Sequence, residues 1–429
     1  MENKTFKIIG AGCVALLLVI GILSINQSMG INEVLEMQGR INEQASVKEL
    51  YVCGDGSSNL AAVRLSQVYP GIEVKKIMSD VSTGADITML SLLASNTAPD
   101  VYKDIASRAG RYAVPEFALD ISKYMDLSNF YPAAIEQFRK GDGIYALTKA
   151  VRIIGMFINT DITGSIPENW TINDFLDICE KVKSKGKMPY VYFAANASSC
   201  EWLLGWFPAF GVDFFQNKDY SKTTIKSTGG EKVFAFLLDL FNRGYIPSES
   251  GVLSDDDVQA GFLNETYAMS GTYIGSFDAA IQSQVDQGVI KDKFNYEFRA
   301  FPSATGKKVS LVANFHIVVA HKSENEYRNK AAAYLAYQIA SDQDLEVSGG
   351  QFPTVNNCTV TSDNIHWQRG KKITEENGLA DIGFHLAAYG EIRGSLYPVL
   401  KKLFNNQITA LEAVTLYEKA INAAIENAK

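Results

Sequence analysis

The chain has 429 residues, 47% of them apolar, with 40 Lys and Arg against 48 Asp and Glu, a formal charge of −8 at pH 7 and an isoelectric point near 5.3. No basic run longer than a pair breaks the acidic background, which excludes a nucleic-acid surface and suits a neutral or weakly charged small ligand. At roughly 150 residues per domain the length is that of a two-lobed body with ample core.

Lys4 and Lys7 precede residues 8–25, an 18-residue apolar run at the lower end of bilayer-spanning length that marks an export signal or a membrane anchor. Its length favours an uncleaved anchor, with Ser28-Met29-Gly30 the one cleavage site on offer. Residues 1–30 are therefore assigned to signal or anchor, and 31–47, rich in Glu, Gln and Asn, to a polar spacer.

The body starts at residue 48. Residues 49–53 read as a strand, Gly54-Asp55-Gly56-Ser57 as a turn, and 59–68 as a helix with Leu60, Val63, Leu65 and Val68 on its apolar positions. Tyr69-Pro70-Gly71 breaks the chain, 72–77 alternates as a half-buried strand, 84–93 suggests a helix, and Ala98-Pro99-Asp100-Val101-Tyr102 opens another strand. Strand and helix alternating at these intervals imply βαβ crossovers and a largely parallel sheet, an α/β fold. Further on, Gly141-Asp142-Gly143 makes a turn and 151–158 is an apolar, β-rich run. Thr171 or Asn173 caps an amphipathic helix over 174–183, whose Phe175, Leu176, Ile178, Cys179 and Val182 recur at helical spacing. Asp255-Asp256-Asp257 reads as a solvated acidic lead into a helix over 258–264, as the helix dipole favours.

Chemistry-bearing patterns are sparse. Cys53, Cys179, Cys200 and Cys358 match no metal-ligand or redox spacing, so free thiols are expected, with a Cys179 to Cys200 bridge left open. His316, His321, His366 and His385 are scattered, and there is no HExxH, no phosphate loop and no Gly-x-Ser-x-Gly elbow. No catalytic residue, metal site or cofactor is expected.

Three pieces in fixed order carry a resemblance: Gly141-Asp142-Gly143-Ile144-Tyr145-Ala146-Leu147, then Gly155-Met156-Phe157-Ile158-Asn159, then Pro167-Glu168-Asn169-Trp170-Thr171. Together they resemble the central signature of extracellular solute-binding proteins of family 1, the maltose-binding-protein-like receptors of sugar-type ABC importers. Pro70-Gly71-Ile72-Glu73-Val74, Pro99-Asp100-Val101, Ser270-Gly271-Thr272-Tyr273 and Gly349-Gly350-Gln351-Phe352-Pro353 match the same pattern, which covers nearly all of 48–429. The resemblance implies a type II periplasmic-binding-protein-like clamp, two α/β lobes joined by a three-segment hinge. Lobe one would hold 48–150 and 315–341, lobe two 154–313 and 342–429. It further implies an anchored or secreted receptor that captures a carbohydrate, above all an oligosaccharide, and delivers it to ABC permease subunits. Family members are often lipoproteins, and Gly10-Ala11-Gly12-Cys13 looks like a lipid-attachment site, but the apolar run follows Cys13 instead of preceding it. Cys13 is therefore read as an apolar residue within the membrane run.

Sugar recognition needs aromatic faces for the C–H side of a ring and planar polar groups for its hydroxyls, gathered where parallel strands end. Asp55, Ser57 and Ser58 match a polar ligand loop in the family, against a plain turn with a serine cap. Asp104 and Arg108 stand where family members present an acid and a base, against a solvated pair on a helix. Trp202 and Trp206 are four apart, hence on one helical face, with one stacking on ligand or both in the core, and Glu201 precedes them. Tyr273 occupies the family's stacking-Trp position after Gly271. Arg152 lies in the crossing strand where some sugar binders carry an acid, and Arg393 in a late cleft segment. If both face the cleft, they favour an acidic sugar such as a uronate. Two other roles stay open: a co-receptor presenting ligand to a sensory kinase, and an exported carbohydrate-active enzyme using paired acids.

Overall fold

A computed structural model describes residue 39 and residues 42–53, 57–78, 85–192, 199–249, 252–274, 276–289, 294–348, 350–356, 358 and 361–428 of the chain. The membrane run, the first part of the spacer and Asp55 lie outside these residues, as do the side chains of Ser57, Ser58 and Cys200. Among the described residues no helix is long and apolar enough to cross a membrane.

Among the described residues ten strands follow in order: β1 (Glu49–Cys53), β2 (Glu73–Met78), β3 (Val101–Ile105), β4 (Arg139–Lys140), β5 (Gly143–Ile144), β6 (Leu147–Asn159), β7 (Met188–Val191), β8 (Tyr267–Tyr273), β9 (Tyr296–Arg299) and β10 (Val312–Ala320). Eight of them form one sheet in the order β2-β1-β3-β10-β6-β8-β7, with β9 on β6. Its outer parts are parallel, β1 with β2 and β3, and β7 with β8. The centre is antiparallel, because β10 runs against both β3 and β6, and β6 against β8 and β9. The sheet is therefore mixed, where sequence periodicity pointed to a largely parallel one. Alternation reports which faces are buried and says nothing of strand direction.

β6 and β10 are the long elements that join the two halves of the molecule. Leu147, Thr148 and Ala150 of β6 pair with the carboxyl half of β10 beside β3, while Ile154 to Ile158 pair with β8. The burial pattern explains the apolar run: twelve of the thirteen β6 residues are buried, and Arg152 alone is half-exposed. A third connection lies alongside, where Phe352 and Val151 exchange backbone hydrogen bonds of 2.9 Å and the Thr354 hydroxyl donates to the Thr148 carbonyl at 2.6 Å. Thr354 and Asn356 pair with the first half, since Tyr131 N donates to Thr354 O at 2.9 Å and Asn356 N to Asn129 O at 2.7 Å. These pairings lie past the boundary at 342 expected from sequence.

Helices cover the faces. Ser57–Val68 and Glu326–Ser341 pack together on the first half, burying Ala61, Leu65, Leu335 and Ile339. In the second half Ile172–Ser184 buries Phe175, Ile178, Cys179 and Val182, each worth about 1.5 to 3 kcal/mol for the larger side chains. Thr171, not Asn173, starts that helix: its hydroxyl accepts from Asp174 N while Asp174 accepts from Thr171 N, a reciprocal cap. Asp255 to Asp257 form the first turn of the helix Asp255–Leu263, capped by Ser254, so the triplet is part of the helix and not a loop before it. Cys179 is a buried free thiol, raised in pKa by burial, so the bridge to Cys200 does not form.

Candidate functional site

Where the crossing strands meet the second half, one buried carboxylate gathers donors from three segments. Glu201, on the 3-10 segment Ser199–Gly205, is 2% exposed. Its Oε2 accepts from the Tyr273 hydroxyl at the end of β8 and from Asn314 Nδ2 of β10 at 3.3 Å. Its Oε1 accepts from the Tyr389 hydroxyl at 2.9 Å, and Arg393 Nη1 lies 3.7 Å from Oε2, both from the helix Tyr389–Gly394. A buried charge survives only when paired and hydrogen-bonded, and Glu201 meets both conditions. Burial first, and the Glu201 charge second, push the Tyr273 and Tyr389 phenols far above their ordinary value. Both rings therefore remain O–H donors at any physiological pH.

Arg152 extends the cluster outward. It lies directly opposite Asn314 in the β6–β10 ladder, and its guanidinium carbon is 3.9 Å from the centre of the Tyr273 ring, a cation–π contact. Trp202 meets the same tyrosine edge-on, at 6.2 Å and 89°. Trp202 and Tyr273, 5% and 7% exposed, and the fully buried Tyr389 thus pack their rings around a centre of two arginines, one amide and one carboxylate.

The first half contributes the end of β3. Arg108 Nε donates to Asp104 Oδ1 at 2.7 Å, and Asp104 also accepts from Ile105 N, so the two side chains form a closed ion pair at the short helix Ala106–Ala109. That helix packs against Tyr389–Gly394 of the second half, and Arg111 pairs with Glu391 beside it. Gly110 permits the approach: a Cβ there would lie 2.7 Å from the Leu386 carbonyl oxygen. Arg152, Glu201, Trp202, Tyr273 and Arg393 are accordingly brought to one region, to which Asp104 and Arg108 are joined only through the packing of Ala106–Ala109 on Tyr389–Gly394.

Trp206 does not belong there. Residues 199–205 form a 3-10 segment and Trp206–Ala209 a separate short helix, so the two tryptophans do not share an α-helical face. Trp206 is fully buried against Phe175, Phe236 and Phe301, and its Nε1 donates to the Tyr190 hydroxyl at 3.1 Å. Its ring is core, with no face left for a ligand. Ser57 and Ser58 open the helix Ser57–Val68, and Asp55 lies outside the described residues.

The family description of the bacterial extracellular solute-binding proteins matches residues 66–372, more than two thirds of the chain. The chain belongs to that family. No curated protein matches this solute-binding protein by sequence. Among solved structures, a chitin oligosaccharide binding protein is similar at 17% identity and a TM-score of 0.71, covering 89% of this chain and 99% of that one. The GacH receptor of Streptomyces glaucescens, solved unliganded and with acarbose, is similar at 15% identity and 0.70, covering 89% and 100%. The maltose-bound T. maritima MalE3 is similar at 18% and 0.67, covering 87% and 98%. These likenesses establish the fold: an α/β clamp of two lobes. Family membership makes this a substrate-binding protein and implies an extracellular or periplasmic location.

Two residues of the cluster escaped the sequence reading of this solute-binding protein. Tyr389 stands four residues before Arg393, a spacing that puts both on one helix face and was available as a signal. Asn314 is one of two polar residues, with His316, in the otherwise apolar β10, and only the ladder reveals that it faces Arg152.

Proposed function

We propose that this solute-binding protein captures a carbohydrate between its two lobes and delivers it to ABC permease subunits. The observation that carries the reading is the cluster of Tyr273, Trp202 and Tyr389 around Glu201, Asn314, Arg152 and Arg393, set where the crossing strands join the halves. Aromatic faces match the C–H surface of a sugar, and planar forks match its hydroxyls, each of which costs about 1 to 3 kcal/mol if buried unpaired. That structures named for chitin oligosaccharide, acarbose and maltose share the fold supports the same class of ligand.

Lobe one comprises 48–150 with 315–356, lobe two 154–313 with the rest, and residues 1–30 anchor the protein at the extracellular face of the cytoplasmic membrane or direct its secretion. Asp104 and Arg108 contribute from lobe one. Ligand bridging both lobes adds contacts available only when they close, and thereby shifts the hinge equilibrium toward the form the permease accepts. The protein binds without transforming its ligand.

A thermal-shift screen of the full chain against mono- and oligosaccharides, uronates, polyamines and peptides tests this. A ligand at a hundredfold excess over its dissociation constant stabilises by about 2.7 kcal/mol. Stabilisation by sugars is expected. A response to peptides or polyamines with none to sugars overturns the carbohydrate assignment, and release of reducing ends from an oligosaccharide overturns binding without chemistry.

A further inference from the structure

Asn314 and Phe315 are neighbours on β10, so their side chains leave opposite faces of the hinge. Asn314 reaches Glu201 in the site described above. Phe315 points the other way, onto Phe384 at 4.4 Å, and helps to floor a groove of about 690 Å³ that contains none of the Glu201 cluster. The groove spans the hinge. One wall is the hairpin region of Gln137 and Lys140 in the first half; the other is Tyr220 and 379–386 in the second.

Its lining has two chemistries. Phe315, Phe384, Leu379 and Leu386 make an apolar floor. Around it, Asp381 is engaged by the Tyr220 hydroxyl at 2.6 Å and Glu136 by Arg139 at 2.7 Å. Lys140 and Lys218 stand on opposite walls with no ion pair among the described residues. A volume of this size, apolar below and charged at the rim, has the proportions of a small-molecule site.

We infer that this groove on the far side of the hinge is a second binding site, for a small amphipathic anion, an apolar or aromatic body bearing a carboxylate or sulfonate. The body covers Phe315 and Phe384, and the anion lies between Lys140 and Lys218. Its occupation is coupled to the first site by geometry. Rotation that closes the lobes over the Glu201 cluster widens the opposite face, and rotation that opens them narrows it. A ligand wedged in the groove therefore holds the cleft closed and tightens carbohydrate binding, and carbohydrate tightens the anion in equal measure.

The test uses the full chain and the fluorescent anion 8-anilinonaphthalene-1-sulfonate. One saturable site is expected, weakened about tenfold or more by Lys140→Gln with Lys218→Gln, since both charge-assisted contacts go. A carbohydrate found in the thermal-shift screen should bind about fivefold or more tightly when the probe is saturating. Ala380→Trp, which fills the groove, should abolish probe binding and tighten the carbohydrate unaided. Probe binding indifferent to the lysine pair, or displaced by carbohydrate, overturns the second site. If no carbohydrate binds at all, the capture reading fails while the lysine and Ala380→Trp titrations still decide the groove.

Discussion

Replacing Glu346 by Gln removes the carboxylate on which three strands converge beside the hinge. Glu346 is 4% exposed on its side chain; Lys103 of β3 lies 2.7 Å away, the fully buried Lys149 of β6 3.7 Å, and the His316 ring of β10 3.6 Å. Burial raises the carboxyl, but the neighbouring His316 and the Lys103 ammonium outweigh it and bring its pKa from 4.5 down to about 2. At roughly 1.36 kcal/mol per unit, that depression contributes about 3 kcal/mol of stability at neutral pH. Removing one partner of a buried pair costs about 3 to 5 kcal/mol, because the cations remain buried. Both routes give the same order, so Glu346→Gln should lose about 3 kcal/mol in urea unfolding at pH 7. Because the folded-state pKa is depressed, the contribution is complete above pH 4.5 and disappears as pH falls toward 2. The gap between wild type and variant should therefore narrow steadily across that window. His316, held below 6.5 by burial, adds acid sensitivity in both proteins as pH falls below 6.5. A loss under about 1 kcal/mol at pH 7, or a gap that stays constant into acid, would refute the argument.

Three further outcomes are expected. Gly155→Ala would set a methyl 2.3 Å from Phe298 Cζ and 2.6 Å from the Arg299 carbonyl oxygen, so thermal unfolding should report about 1 to 3 kcal/mol of destabilisation; a neutral result would mean that β9 can move off β6. Trp206→Ala should cost about 3 to 5 kcal/mol of stability, and Tyr273→Phe should weaken ligand more than it destabilises the fold; calorimetric titration beside a melting curve separates the two, and the reverse ranking would exchange their assigned roles.

The first half was readable from sequence because its elements are local. The strand at 49–53, the break at Tyr69-Pro70-Gly71 and the helix over 59–68 each follow from a few neighbouring side chains, and β1 and Ser57–Val68 fall there. The crossing strand was visible as an apolar run at 151–158, but its full span, Leu147–Asn159, was not, because Thr148 and Lys149 are polar residues buried with partners outside the strand, Ala134 and the distant Glu346. Strand direction and the pairing of Thr354 and Asn356 with the first half are long-range contacts that no local period encodes. In the site, Glu201, Tyr273, Arg152 and Arg393 were singled out separately, and only the fold joins them. Trp206 misled because a spacing of four means a shared face on an α-helix, whereas the backbone there tightens to 3-10 geometry before it.

Along the β6–β10 ladder, His316 faces Ala150 and the next residue, Ile317, faces Thr148, which leaves Lys149 as the odd residue out. A one-residue slip in a strand exchanges its two faces. Lys149 therefore acts as a frame-setter: on one side of it the strand is phased for the first lobe, and on the other it is phased so that Arg152 looks toward Asn314 and Tyr273. A gene that lost this single codon would encode a chain with every strand still present, yet with one lobe's inward and outward chemistry transposed relative to the other.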